Sequence, residues 1–402
     1  MSQDSSSPHP GALAGVKVLD LAQLITGPWC ASLLGDLGAE VIKIESPRVG
    51  EALRHIGPRV GGEAVLFLAV NRNKRSLTLD LSRPAGRAVL GRLLAGSDVL
   101  IQNFRPDVRQ AYGLDYQDLA EKHPHLICLN VSAFGEQGPY RLKPGTDHVF
   151  QGLSGLMSIS GQPGQGPLRV GAPVADMTAA LLACQGVLAA LLFRQRSGRG
   201  QEVKVNLLDA AMSLQQTTIT EYLLTGRQQA PTGNSSPFAS PVGMFSTADG
   251  QVNLAAFNDK FWRALCRALA LEPLLDDPRF AGPAQRITNR EALEAILAER
   301  LRQQPTAHWL AVLEAADVPC GPVHDYPALF ADPQVQANGL TRRLEHPELG
   351  AVATLGHPLR FGLCPAREGA AAPSLGQDNQ RILADLGLSA QEIEELKQQG
   401  II

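Results

Sequence analysis

Asp176 stands in front of Met177–Phe193, a run of seventeen residues in which Thr178 and Gln185 alone are polar. A carboxylate placed there has two roles open to it. It can cap the first amides of a helix, arriving after the turn segment Gly171-Ala172-Pro173 and contributing about 1 kcal/mol. It can instead be a covalent nucleophile towards an activated acyl group. Two further segments carry chemistry. Asn71-Arg72-Asn73-Lys74-Arg75 is the densest basic cluster in the chain and immediately precedes an expected strand. It is either a solvated loop or a set of phosphate ligands, with arginine bidentate and lysine a point charge. Asn103-Phe104-Arg105-Pro106 follows the expected strand ending at Gln102, at the carboxyl edge where α/β sheets bind ligands. Two basic loops at one sheet edge would suit an elongated, phosphate-rich ligand.

Other chemistries find less support. The first βα junction, Leu24-Ile25-Thr26-Gly27-Pro28, lacks the GxGxxG glycines of dinucleotide sites. Glu45 at the end of the second expected strand imitates a ribose-binding acid, but one Glu after a strand is weak support and a solvated strand end is the more ordinary reading. Asp147-His148 is the nearest acid/base pair to Asp176 in sequence, and no serine lies in a GxSxG elbow. The histidines and the six cysteines, Cys30, Cys128, Cys184, Cys266, Cys320 and Cys364, show no metal spacing, so no metal site is expected. The cysteines read as buried thiols of a reducing compartment.

The elements that must position these residues follow from periodicity. Strands are expected at Val16–Leu21, Glu40–Glu45, Ser76–Leu81, Asp98–Gln102, Leu126–Val131 and Glu202–Leu207, with helices at Trp29–Leu37, Pro84–Leu94 and Pro106–Tyr112. Alternation of this kind predicts an α/β domain with a mostly parallel sheet. From Thr225 the patterns give way to a Thr/Gly/Asn/Ser/Pro-rich linker ending at Pro241. Helices then dominate: Lys260–Leu269, Glu291–Gln303 and His308–Ala315, each behind a capping residue. Ser389-Ala390-Gln391-Glu392 is a capping box that opens a last helix.

Length and charge bound the answer. At 402 residues two compact units are expected. A net charge of -3, from 36 Lys plus Arg against 39 Asp plus Glu, leaves no global basic field for nucleic acid or an anionic membrane. Met1–Leu13 lacks the basic start and apolar core of a signal peptide, and Ala64–Val70 is too short to span a bilayer. A soluble, cytoplasmic protein is expected.

Taken in order, several motifs resemble the family III CoA-transferases, the group that includes formyl-CoA transferase, carnitine CoA-transferase and α-methylacyl-CoA racemase. The carriers in the first half are Gly15-Val16-Lys17-Val18-Leu19-Asp20, Gly27-Pro28, Leu37–Glu45, Asn73-Lys74-Arg75-Ser76, Asn103-Phe104-Arg105-Pro106, Phe134-Gly135, Gly138-Pro139-Tyr140 and Ser154-Gly155-Leu156-Met157. Asp176, Ser197–Gln201, Asp277-Pro278-Arg279-Phe280 and Val318–Val323 continue the series, so the resemblance covers Leu13–Ile402.

The resemblance implies that Asp176 is the nucleophile and that CoA is held by Ile25 and Thr26 of the first loop, by Asn73, Lys74 and Arg75, and by Asn103, Phe104 and Arg105. It implies acyl-CoA and a small carboxylic acid as substrates, succinyl-CoA being a candidate donor, with no tightly bound cofactor. It implies a Rossmann-like large domain, a smaller helix-rich α+β domain and an interlocked homodimer. The expected boundaries are a disordered tail over 1–12, the large domain over 13–224, the small domain over 225–330, and a return to the large domain over 331–402. Aspartyl anhydride and aspartyl-CoA thioester intermediates would carry the transfer. An acyl-CoA racemase or epimerase is the alternative. That branch needs a histidine before the Asp of a Gly-His-Asp motif, where this chain has Thr146 before Asp147. Ile25 replaces the first-loop glutamine of formyl-CoA transferase, and Gly233-Asn234-Ser235-Ser236-Pro237 replaces its tetraglycine loop, which argues against formyl and oxalate specificity.

Overall fold

A computed structural model describes residues 11–367 and 369–402. The tail expected over residues 1–12 lies outside the described residues except for Gly11 and Ala12. The chain forms two compact units. One takes the chain up to Ser154, Gly171–Gln216 and Gly339–Ile402, and the other takes Gly155–Val170 and Thr217–Asn338. The second unit thus begins before the expected linker and recruits Gly155–Val170, an excursion that no composition change marks.

The first unit is built on six strands: β1 Lys17–Asp20, β2 Glu40–Glu45, β3 Lys74–Thr78, β4 Val99–Gln102, β5 Ile127–Ser132 and β6 Glu202–Asn206. All neighbours run parallel, in the order β3-β2-β1-β4-β5-β6. This is the order of doubly wound folds, whose ligand crevice lies where the chain reverses direction, between the carboxyl ends of β1 and β4. β3 begins at Lys74, two residues before the strand expected from Ser76.

Both faces of the sheet are covered, so the strands are apolar without strict alternation. On one face Val18, Val41, Val99, Ile101, Ile127 and Leu129 pack on α1, Thr26–Asp36, and on α4, Val174–Ser197. On the other, Leu19, Ile42, Leu77, Leu100 and Cys128 pack on α2, Pro84–Ala95, and on the C-terminal helix Asn379–Asp385. α3, Asp147–Leu153, and α5, Leu207–Ser213, also pack on α4. The last helix, Ala390–Gln398, starts at the expected capping box around Ser389 and Glu392.

α4 is not buried all round. Ala175, Ala179, Ala180, Ala183, Cys184, Val187, Ala190 and Leu191 face the core, while Leu181, Leu192 and Phe193 are exposed. Its length of 24 residues, with a mean hydropathy of 1.7 over its most apolar 18, would suffice to cross a membrane. The small residues on its inner face suit close packing on α1 instead.

The second unit holds a three-stranded antiparallel sheet, Val242–Ser246, Gln251–Ala255 and Cys320–Pro322. Trp262, Leu265, Leu293, Leu297, Trp309 and Leu313 supply its core from three helices, Asp259–Ala268, Arg290–Leu301 and Thr306–Ala315. Four of the six cysteines are buried, and Cys320 and Cys364 are half-buried.

Candidate active site

After β1 the chain turns through Leu21–Ile25 and enters α1 at Thr26. Leu24 sits in the left-handed region, with φ of 67°. Gly27 allows a close approach, since a Cβ there would lie 2.3 Å from the Ala22 Cβ. Buried charges, which must be paired, hold this turn from below at three backbone points. Lys43 Nζ donates to Ala22 O at 2.9 Å, Leu24 N–H donates to Glu51 Oε2 at 2.8 Å, and Lys74 Nζ donates to Pro28 O at 2.7 Å. Lys43 and Glu51 pair with each other, and Asp20 joins both lysines. Burial pushes the Asp20 carboxyl up, but Lys43 and Lys74 outweigh it and hold it below the usual range. Burial draws Lys74 down to about 8, against the pull of Asp20, and raises Glu51.

Thr26, buried at the start of α1, donates its hydroxyl to Asp176 Oδ1 at 2.7 Å. Asp176 is the third residue of α4, behind a Pro173 cap that offers no side-chain oxygen. The capping role open to Asp176 in the sequence belongs to another residue: Ala175 N–H donates to Asp147 Oδ1 at 2.8 Å. Asp147 is buried at the start of α3, while its neighbour His148 is exposed. Burial raises the Asp176 carboxyl above its ordinary value; the Thr26 hydroxyl opposes this and the Asp147 charge adds to it. A half-buried, desolvated carboxylate fixed by one hydroxyl is suited to attack a carbonyl carbon.

At the end of β4, Asn103 exchanges two hydrogen bonds with Gln23 of the turn: Gln23 N–H to Asn103 Oδ1 at 3.0 Å and Asn103 Nδ2 to Gln23 O at 2.9 Å. Phe104 stacks edge-on against Tyr112 at 5.7 Å, and Arg105 is exposed, with no ion pair among the described residues. Ile25 turns its half-buried side chain onto the apolar cluster of Leu53, Ala64 and Phe67. Thr26, Ile25, Asn103, Phe104 and Arg105 therefore gather at the carboxyl edge of the sheet, where Asp176 also lies.

Asn73, Lys74 and Arg75 do not join them, which corrects the expectation of two basic loops at one edge. They open β3, and in a parallel sheet the start of one strand and the end of another lie at opposite edges. Their charges are also spent internally. Asn73 Nδ2 donates to Asp36 at 2.7 Å beside the Arg72–Asp36 ion pair. Lys74 is enclosed by Asp20, Pro28 O and Asn71. Arg75 bridges Glu40 and Asp385. A cavity of about 1150 Å³ opens beside these three, between the amino ends of β2 and β3 and the Pro365–Ala370 segment. It contains none of Asp176, Thr26 or Asn103, so volume and chemistry point to different ends of the sheet. Among the described residues, the cavity's carboxylates Glu40 and Asp385 pair with Arg75, whereas Asp176 meets one side-chain hydroxyl.

Sequence reasoning passed over Gln23 and Glu51, and it weighed Asp147 as an acid/base partner but not as a cap. Glu51 and Gln23 act through backbone atoms that no motif marks. Asp147 stands in the sequence only as half of an acid/base pair with His148, because the amide it caps lies 28 residues further on.

Comparison with known proteins identifies the family. The profile of CoA-transferase family III matches residues 13–379. A succinate–glutarate CoA-transferase from Agrobacterium fabrum is 36% identical over 381 residues, covering 93% of this chain and 95% of its own. A succinyl-CoA:glutarate CoA-transferase from Homo sapiens is 34% identical over 392 residues, covering 97% and 90%. The crystal structure of a CAIB/BAIF family protein from Brucella suis superposes with a TM-score of 0.85 at 36% identity, covering 94% of this chain and 100% of the other. A profile spanning nearly the whole chain, relatives matched over most of both lengths and one shared parallel-sheet architecture have a single reading: this chain belongs to CoA-transferase family III.

Proposed function

We propose that the protein transfers CoA from succinyl-CoA to a small dicarboxylic acid through covalent intermediates on Asp176. Asp176 Oδ attacks the thioester carbonyl; the C–S bond breaks, giving a mixed aspartyl anhydride and CoA thiolate. The thiolate attacks the aspartyl carbonyl, expels the donor acid as its carboxylate and leaves an aspartyl-CoA thioester. The acceptor carboxylate then attacks that thioester, and the sequence runs in reverse until the new acyl-CoA leaves and Asp176 is a carboxylate again. No proton is gained or lost overall. CoA lies along the carboxyl edge of the sheet, with Arg105 towards its phosphates, Phe104 offering an apolar surface, and the Gln23–Asn103 clasp and Thr26 fixing the loop beside Asp176. Lys74 enters this reading as support beneath that loop, through Asp20 and Pro28 O, while Asn73 and Arg75 brace the amino end of β3 through Asp36, Glu40 and Asp385. The choice of succinyl-CoA and a dicarboxylic acid rests on the substrates named for the two relatives.

The observation that carries the reading is that the Asp176 carboxylate is met by one side-chain hydroxyl while another residue caps its helix. Incubation with succinyl-CoA followed by hydroxylamine should convert Asp176 to a hydroxamate, read by peptide mass spectrometry. Asp176→Ala should lower kcat by at least about 10³-fold, the scale on which removing a covalent nucleophile acts; full turnover by that variant sinks the proposal.

The protein acts in the cytoplasm in this reading, as a homodimer of interlocked chains. The exposed Leu181, Leu192 and Phe193 on α4 support a partner surface. Light scattering on the purified protein should give twice the chain mass of 42.9 kDa.

A further inference from the structure

The first turn of α4 presents a problem that its own sequence does not solve. The opening N–H groups of any helix lack intrahelical partners, and here Pro173 at the cap position has no side-chain acceptor. Val174 N–H reaches Ala172 O at 2.9 Å. Ala175 N–H is met by Asp147 Oδ1 at 2.8 Å. The other carboxylate oxygen, Asp147 Oδ2, accepts from Gln151 Nε2 at 2.7 Å, and Gln151 also donates to Ala172 O at 3.2 Å, closing the chain of bonds on the same turn. Asp147 and Gln151 are 7% and 0% exposed. An aspartate at the third position of a helix is well placed to turn back and cap it; Asp176 does not, and its carboxylate goes to Thr26 instead.

We propose that Asp147 is a positioning residue for the acyl-transfer step: by capping α4 from α3 it releases the Asp176 carboxylate from structural duty and leaves it to the Thr26 hydroxyl. This rests on the reading of Asp176 as the nucleophile. Other charged or titratable groups do not take this part. The elements packed on α4 carry Cys30 and Asp36 on α1, Asp147 and His148 on α3, Asp209 on α5, Cys128 on β5, and Glu202 and Lys204 on β6. Asp36 is engaged by Arg72, Asp209 by Asn206, and Glu202 and Lys204 by each other. Cys128 is pushed up to about 12 by burial and is neutral throughout the working range. Cys30 meets Cys184 further along α4, and that contact and burial hold its thiol protonated. The Asp147 charge is the one that acts on Asp176, adding to the effect of burial.

Asp147→Asn separates the charge from the cap. Asn Oδ1 can still accept from Ala175, and a turned Gln151 amide can accept from the new NH2 group. The expected result is a folded protein whose KM for succinyl-CoA stays close to wild type while kcat falls about two- to threefold, because the slightly less basic Asp176 attacks more slowly. The acid limb of its kcat profile should move to lower pH by a substantial fraction of a unit, as loss of a like charge lowers the pKa of its neighbour. A limb that coincides with wild type overturns the proposal. Should the Asn variant not fold, the wild-type profile still decides: an acid limb at or below the ordinary aspartate value of about 3.9 overturns it equally. Failure of the underlying reading is a separate result, seen as wild-type protein in which hydroxylamine never labels Asp176.

Discussion

The two ends of the central sheet use charge in opposite ways. At the amino end of β3 the sequence concentrates Arg72, Lys74 and Arg75, and every one of them is spent: on Asp36, on Asp20 and two neutral oxygens, and on Glu40 with Asp385. At the carboxyl end Asp20, Lys43 and Glu51 are likewise committed to one another beneath the turn, yet Asp176 has one hydroxyl for a partner and Arg105 has no acid among the described residues. Density of charge in a sequence therefore says little about ligand binding. What marks a site is charge that folding leaves unanswered, since buried groups committed to one another have no interaction left to give a ligand.

The sharpest way to break this comparison is Lys74→Met. If the ammonium serves the fold, its loss leaves Asp20 buried with one cation and the Pro28 carbonyl without its donor. Removing one partner of a buried pair of this kind destabilises by about 3–5 kcal/mol. Urea denaturation should show that loss, while the KM for succinyl-CoA of the protein that still folds stays close to wild type. The reverse pattern, unchanged stability with a KM raised tenfold or more, would restore Lys74 to the CoA site.

A smaller effect is expected at the other end from Thr26→Val, which keeps the shape and deletes the donor. The Thr26 hydrogen bond favours the ionised form of Asp176, opposing burial, so its loss should raise the Asp176 pKa further. The acid limb of kcat should then move to higher pH, opposite in sign to the shift expected for Asp147→Asn, with kcat at pH 7 reduced by less than about tenfold, because the lost orientation of the carboxylate is partly offset by its greater basicity. Thr26→Ser should restore both. An unmoved limb would mean that Thr26 only packs.

How much of this is legible without the fold divides along the same line. The six strands, the apolar helix behind Asp176 and the C-terminal capping box rest on local periodicity and local hydrogen bonds, and each is found within two or three residues of its expected place. Asp176 itself is legible as a reagent only through the order of motifs along the chain. Left out are features made by contacts between distant segments: which edge of the sheet Asn73–Arg75 occupies, the Glu51 carboxylate under Leu24, and the Asp147 cap on a helix 28 residues away. The sequence offers Asp176 as the cap because a cap is a local device in most helices; here Pro173 forbids the local solution and a neighbouring helix supplies it. Gly155–Val170 shows the same limit at the scale of domains, since its place in the second unit follows from packing and not from composition.

The smallest effect expected is also the one that ties chemistry to stability. Burial raises the folded-state pKa of Asp176 above its unfolded value. The folded protein therefore favours the protonated side chain, and stability present below the unfolded pKa is lost as pH rises through the folded one. At neutral pH the ionised carboxylate is held in place against this loss, as expected of a group kept for reaction rather than for folding. Asp176→Asn is neutral at every pH and can still accept from Thr26. It should be inactive and yet more stable than wild type at pH 7.5, by about 1 kcal/mol, with the gain shrinking as pH falls through the raised folded-state pKa and gone only below the unfolded value of about 3.9. Melting temperatures at the two pH values measure this directly. Lys74→Met and Asp176→Asn thus make a pair with opposite signs: removing the answered charge should cost stability and leave binding, and removing the unanswered one should abolish turnover and strengthen the fold. A melting temperature for Asp176→Asn below wild type at pH 7.5 would place Asp176 among the structural charges and end the contrast between the two edges.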